Sequence, residues 1–451
     1  MNEKKEFTTD MTQGGILLHL AWFAWPLLLG NLFQQLYNVV DTWVVGNYVS
    51  NEAFSAVGSM APAINTLISG FTGLSNGATV VISQFWGAKR PDDVRRTVST
   101  ALTMTFALGV LLSAAGILLI PSLMDWMRVP APVRPDAVTY LTIYFGGLTG
   151  LLFYNMGAGI LRAVGDSVRP FFFLIFSTFM NIGLDLLFVL RFHMGVKGVA
   201  WATVITQTVA AGMVLLLLLK TSACVRWYPR ESGIDGDIMK SVAYIGLPNA
   251  FHMMVMSFSN MFVFGYINSF GTDTMSAWTA YNRIEPFIAL PLQSLALACT
   301  TFTAQNIGKG DLKRTKQGVR IALLMSLTLA AATALLLSVF APSIVRFFNA
   351  RPEVVERGAQ LIRLMTPFYL LNCVSLIYSG ALRGIGQTWL PTVIMLAALV
   401  GLRQGYLFVM ANYISNTVVP IVLGFPVGWF SCAAGVYLCY RYTPLLRDKK
   451  G

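Results

Sequence analysis

Apolar runs long enough to cross a lipid bilayer recur along this chain from one end to the other. Nothing else constrains its fold as strongly. In hydrocarbon every backbone N–H and C=O must find a partner inside a helix or a closed barrel. The runs lack the ten-residue alternation of barrel strands, so each reads as a helix. Spans are expected at 16–46, 53–82, 97–120, 137–163, 168–190, 196–220, 240–268, 274–304, 318–345, 354–381, 388–412 and 416–440, twelve in all. The expected fold class is an all-α membrane protein. Pro26, Pro62, Pro248, Pro286, Pro367 and Pro426 lie inside spans. There, neighbouring helices and polar side chains can satisfy the freed backbone groups, and the helix can kink.

Charge fixes the orientation. Only 12% of the residues are charged, about half the share in a soluble domain. The net charge of +12 would raise nucleic acid as a partner in a soluble chain. Here the basic residues sit in short loops, where they suit anionic headgroups. The lipid bilayer is the expected surface partner, and nucleic acid is not. Of the 32 Lys and Arg, 22 fall on the side that carries both termini and 8 on the other. The rich side is read as cytoplasmic, in a multi-pass protein of the cell's inner or plasma membrane. The stretch "MNEKKEFTTDMTQGG" is polar and holds no cleavable apolar region. None of the five cysteines forms a CxxC pair, and four lie in apolar runs. They read as small core residues rather than as disulfides or metal ligands.

The sequence repeats itself. "SQFWGAKRPDDVRRTVSTAL" (83–102) aligns with "AQNIGKGDLKRTKQGVRIAL" (304–323), and "LRAVGDSVRP" (161–170) with "LRGIGQTWLP" (382–391), each at a shift of 221. Around Pro26 and Pro248 the shift is 222. Each half holds six spans, so both have the same orientation. This predicts two pseudo-symmetric six-helix lobes, a parallel repeat about an axis along the membrane normal, with a cavity between them. The expected organisation is a cytoplasmic segment at 1–15, an N-lobe at 16–220, a linker at 221–239, a C-lobe at 240–441 and a cytoplasmic tail at 442–451.

Of the twenty acidic residues, only Asp41, Asp185 and Glu285 lie inside spans away from their ends. A charge at mid-membrane costs about 2.5–3.5 kcal/mol on insertion scales, and such residues usually serve function. Gln34, Tyr37, Asn38 and Asp41 follow i, i+3, i+4, i+7 spacing and share a helical face. Ser177, Asn181 and Asp185 share another, at i, i+4, i+8. Thr203, Tyr140 and Asn155 are candidate further members. Two such faces in one lobe predict a small hydrated pocket with two carboxylates. Their mutual repulsion can be relieved by a proton or by Na⁺, and a pair sharing a pocket titrates as a unit. The competing reading is that these polar groups only glue helices together. At the repeat shift Asp41 falls opposite Phe262 or Val263, and Asp185 opposite Tyr406. Ion coupling is therefore expected in the first lobe.

In the second lobe, Glu285 of "YNRIEPF" is expected either to pair with Arg403 or to face the cavity and attract a cationic substrate. For Arg403, structural pairing is the favoured reading. Met253, Met254, Met256, Phe258 and Phe262 offer polarizable surface for aromatic cations, although such a stripe is more often ordinary packing. His19, His193 and His252 lack metal-ligand spacing. No phosphate-binding loop, zinc-protease helix or nucleophile elbow is present. An enzyme is not expected, and neither is a cofactor.

These residues carry a resemblance. "PLLLGNLFQQLYNVVDTWVVGNYVS", "SQFWGAKR", "LRAVGDSVRP", "MNIGLDLLFV", "GVKGVAWATVITQ", "YNRIEPF" and "LRGIGQTWLP" resemble the multidrug and toxic compound extrusion (MATE) transporters, over essentially the whole chain. The resemblance implies twelve helices in two lobes and drug–cation antiport driven by H⁺ or Na⁺. It implies coupling residues at Asp41, Asn181, Asp185 and Thr203, and lining positions at Gln34, Tyr37 and Asn155. Some branches carry acids in helices seven and ten. Here "VMSFSNMFVFGY" and "LLNCVSLIYSG" have none, so a second-lobe ion site of that kind is not expected. The chain is read as a monomeric antiporter of small organic cations. The alternative is a lipid-linked oligosaccharide flippase of related architecture. That rival favours a cationic cavity, whereas only two basic residues, Arg283 and Arg403, lie within spans.

Overall fold

A computed structural model describes residues 10–444, apart from 50, 128, 222–223, 232, 269, 349–350 and 416. Helices occupy nearly all of it. They are α1 (Ile16–Tyr48), α2 (Asn51–Gly87), α3 (Pro91–Trp126), α4 (Arg134–Gly146), α5 (Leu148–Ala163), α6 (Val168–Leu186), α7 (Val196–Lys220), α8 (Gly236–Asn268), α9 (Thr272–Lys309), α10 (Leu312–Phe348), α11 (Pro352–Met365), α12 (Tyr369–Ile385), α13 (Trp389–Leu396), α14 (Arg403–Val409), α15 (Val418–Val422) and α16 (Gly424–Tyr442). Among the described residues nine helices, some counted with the segment that continues them, are long and apolar enough to cross a membrane. The pair α4–α5, bent by 47°, makes a tenth. The expected spans at 53–82 and 240–268 fall on α2 and α8, parts of whose side chains lie outside the description. Phe258 and Phe262 are among these.

Local chemistry explains the helix details. The α4–α5 bend falls at Gly147, where an added Cβ would collide with the Val204 methyls. Many hydroxyls inside spans donate to the carbonyl one turn back, as Thr178 does to Leu174 and Thr206 to Ala202, which satisfies those donors within their own helix. Wide π turns follow α6 at Leu187–Arg191 and precede α14 at Ala397–Leu402. Such bulges often mark functional positions. Large apolar side chains such as Leu118, Phe172 and Phe430 remain exposed, as lipid-facing surface must.

The chain divides into two compact units. One holds Trp25–Leu247; the other takes Met11–Ala24 and the chain from Pro248 onward. The chain thus changes unit inside α1, beside Pro26, and inside α8, at Pro248. In the first unit α5 packs on α7 and α2, and α6 on α7. In the second, α12 and α10 pack on α9. There Gly380 lets the α12 backbone approach the Ala296 carbonyl, where a Cβ would sit 2.7 Å from the oxygen.

The segment before α1 is tied down by polar bonds. Met11 is fully buried. Its N–H donates to Gln305 Oε1 at 3.1 Å. The Arg314 guanidinium donates to the carbonyls of Met11, Gln13 and Gly14. Lys309 Nζ donates to the Thr12 carbonyl at 2.9 Å. The corresponding stretch before α8 docks in the first unit: the N–H groups of Gly233 and Asp235 donate to Ser99 and Thr100 of α3.

Candidate functional site

The first unit gathers its polar side chains from four helices. α1 supplies Tyr37 and Asp41, α6 supplies Asn181 and Asp185, α7 supplies Thr203, and α4 supplies Tyr140. All six are buried; Asn181 and Asp185 have no exposed surface at all. The Asp41 and Asp185 carboxyls lie within each other's electrostatic reach, and Thr203 reaches both Asp41 and Tyr37. Tyr140 stands close enough to feel both carboxyls.

The bonding of this cluster is incomplete. The Tyr37 hydroxyl, Asp41 Oδ1, both amide atoms of Asn181 and both oxygens of Asp185 are buried without a well-formed hydrogen bond. A buried polar atom left unpaired costs about 1–3 kcal/mol, and more when charged. Six such atoms in one cluster fit a small occupant that supplies the missing interactions: a proton between the carboxyls, or a monovalent cation held by carboxylate, amide and hydroxyl oxygens. Among the described residues no group of three or more His, Cys, Asp or Glu forms a metal cluster. One-carboxyl or two-carboxyl chemistry is what this cluster offers.

The remaining first-lobe positions are more peripheral. Gln34 is half-buried and Asn38 exposed. The Asn155 amide donates to the Leu151 carbonyl on its own helix at 2.9 Å. Ser177 is buried and donates to the Phe173 carbonyl. Tyr144, which sequence reasoning passed over, stands within electrostatic reach of Asp41 and Tyr37. Its signal was available: it lies one turn beyond Tyr140 on α4, with ring centroids 6.0 Å apart.

In the second unit Glu285 lines a cavity of about 120 Å³. Arg403 is almost fully buried but does not pair with it. Its guanidinium donates to Ser259 Oγ at 2.7 Å and lies 5.0 Å from the centre of the Phe425 ring. The expected Glu285–Arg403 pair is therefore absent, because a hydroxyl and an aromatic face engage the guanidinium instead. Met253 and Met256 are half-buried and do not line this cavity. Met256 packs against the apolar cluster of Leu382, Ile385 and Met395.

A duplicated set of spans with ionisable groups buried in both halves defines a membrane transporter rather than an enzyme. The family model for MatE matches residues 26–187 and again 248–407, and the chain belongs to that family. The double match reproduces the internal repeat. The chain is 29% identical to the "Probable multidrug resistance protein YoeA" of Bacillus subtilis, over 98% of this chain and 96% of that protein. It is 28% identical to "Probable multidrug resistance protein YpnP" of the same organism, over 96% of each. Among solved structures it resembles a MOP superfamily transporter from Pyrococcus furiosus, with a TM-score of 0.89 and 22% identity over 98% of each chain.

Proposed function

We propose that this transporter exports small organic cations from the cytoplasm in exchange for H⁺ or Na⁺. It would act by alternating access, in the inner membrane, with both termini cytoplasmic and as a monomer. The observation that carries the reading is the Asp41–Asp185 cluster, two carboxyls buried side by side with unmet bonding capacity. The multidrug-resistance names of its relatives support export of small molecules.

The coupling runs as follows. Binding of the ion neutralises one carboxyl charge and supplies bonds that the cluster of Asp41, Asn181, Asp185 and Tyr37 lacks. The helices that carry them, α1, α6 and α7, then repack. The ion drives the cycle only by favouring one conformation over the other. A potential of 100 mV supplies about 2.3 kcal/mol for each charge moved. On the cytoplasmic side the ion leaves, the carboxyls are again unneutralised, and the cavity for substrate is restored.

The test is efflux of a panel of cationic dyes from membrane vesicles, with pH and Na⁺ gradients imposed separately. Dye movement driven by one gradient, and lost in Asp41→Asn, is the expected result. Undiminished gradient-driven efflux in Asp41→Asn would overturn the coupling role.

A further inference from the structure

The second unit contains a ring of rings. The Tyr281 and Trp278 centroids are 5.0 Å apart, Trp278 and Phe425 5.7 Å, Phe425 and Trp429 6.0 Å, and Trp429 and Tyr369 4.9 Å. The Tyr369 hydroxyl then meets that of Tyr281 at 2.8 Å and closes the circuit. These five side chains line the 120 Å³ cavity together with Glu285, Asn260, Asn282 and Val263. Trp278, Tyr281, Asn282 and Glu285 follow i, i+3, i+4, i+7 spacing on α9, which stacks the carboxylate over the two rings. Trp278, Tyr281 and Tyr369 are buried, while Asn260 is exposed and marks the mouth.

Among the described residues the Glu285 carboxylate takes part in no ion pair or hydrogen bond. Arg403 is bonded to Ser259 and lies over the Phe425 ring, and it is not itself part of the lining. A half-buried carboxylate inside an aromatic wall calls for a cation. The wall says which kind. Aromatic faces attract a cation through the ring quadrupole, and aromatic cages are a recurring receptor for quaternary ammonium groups. A small metal ion instead needs a close shell of oxygen ligands; here five of the nine lining side chains are aromatic and Glu285 is the charged one. The volume limits the occupant: an apolar cavity of about 150 Å³ holds one benzene. A single methylated or cyclic ammonium head fits; a polycyclic dye does not.

We propose that this aromatic hoop binds the charged head of an organic monocation, with ring faces around the ammonium and Glu285 as its counter-ion. The proposal rests on the reading of the chain as an exporter of organic cations, and adds where the second lobe holds the charge.

The experiment is calorimetric titration of the full-length protein in lipid nanodiscs, without any ion gradient. The probes are tetramethylammonium, choline and the neutral carbon isostere of choline, 3,3-dimethylbutan-1-ol. The two cations bind once per chain, and the isostere binds at least tenfold more weakly. Glu285→Gln and Trp429→Leu each weaken cation binding tenfold or more. Glu285→Asp retains most of it, and Glu353→Gln on the exposed surface of α11 leaves it unchanged. Equal binding of the isostere overturns the proposal, as does indifference to Glu285→Gln, or binding of Na⁺ in place of the ammonium probes. Should a cage variant fail to fold, the cation–isostere comparison on the native protein still decides. Loss of gradient-driven efflux with ammonium binding intact would sink the antiport reading alone. Efflux with no Glu285-dependent ammonium binding would sink the hoop alone.

Discussion

The phenolic oxygens of Tyr281 and Tyr369 lie 2.8 Å apart, although 88 residues separate them in the chain. Both rings are buried, so each hydroxyl depends on the other. Removing one partner strands the other, at about 1–3 kcal/mol, whereas removing both can be nearly neutral. Tyr369→Phe is therefore expected to lower the thermal midpoint in detergent or nanodiscs. The double variant Tyr281→Phe/Tyr369→Phe should recover much of the loss. Additive losses in the double-variant cycle would show that the hydroxyl pair contributes nothing of its own.

Asp185 has no exposed surface, and both its oxygens lack a well-formed hydrogen bond. Asp185→Asn removes the charge and keeps the shape. The thermal midpoint is expected to hold or rise, because the repulsion from Asp41 disappears. Gradient-driven efflux is expected to fall at least tenfold. Measured together, midpoint and efflux separate a coupling role from a purely structural one, which would lower both.

Asp166 lies in the turn between α5 and α6, outside the spans, and is buried. Its Oδ1 accepts from the N–H groups of Val168 and Arg169 at 3.2 and 3.0 Å, and Oδ2 stands 3.3 Å from Arg169 Nε. Burial holds its carboxyl above the ordinary carboxylate range, against the opposing pull of Arg169 and those two N–H groups. Asp166→Ala should cost about 1 kcal/mol or somewhat more, as the loss of a turn-forming acceptor does. Asp166→Asn keeps the acceptor and drops the desolvated charge, so its thermal midpoint should equal or exceed the native value. A lower midpoint for the Asn variant than for the Ala variant would contradict this account.

Arg314 holds the backbone ahead of α1 through its contacts to Met11, Gln13 and Gly14. Hydrogen bonds from a charged donor are worth about 1.5–3 kcal/mol each, and they do not add simply. Arg314→Ala should speed hydrogen exchange at the Met11 amide, which donates to Gln305, by at least tenfold. Arg314→Lys, with a point charge instead of a fork, should fall between. Unchanged exchange in the Ala variant would mean that Gln305, Asn306 and Lys309 hold the segment unaided.

Helix periodicity made one site legible and hid the other. The spacing from Tyr37 to Asp41 and from Asn181 to Asp185 places each pair on one face, and rare acids in an apolar chain draw the eye to them. Those faces do meet, with Thr203 and Tyr140 beside them. The aromatic hoop carries no comparable mark. Its rings come from α9, the start of α12 and α16. In an apolar span a Trp or Phe reads as lipid-facing surface until tertiary packing gathers it. The partner of Arg403 was hidden for the same reason. Ser259 is an unremarkable hydroxyl 144 positions away, and charge counting alone points to Glu285. Twofold repetition was plain from the matched loops. The change of unit at Pro26 and Pro248 was not, because both prolines sit inside uninterrupted apolar runs.

The docked stretch at Met11–Gly14 has a consequence for biosynthesis. Its partners, Gln305, Lys309 and Arg314, are 294 to 303 positions later in the chain. While the ribosome is still making the first six helices, the residues at 11–14 lack these later partners. They wait, threaded ahead of the first helix, until the ninth and tenth helices arrive. The stretch ahead of the first helix is thus fastened only once the second half of the chain has been made.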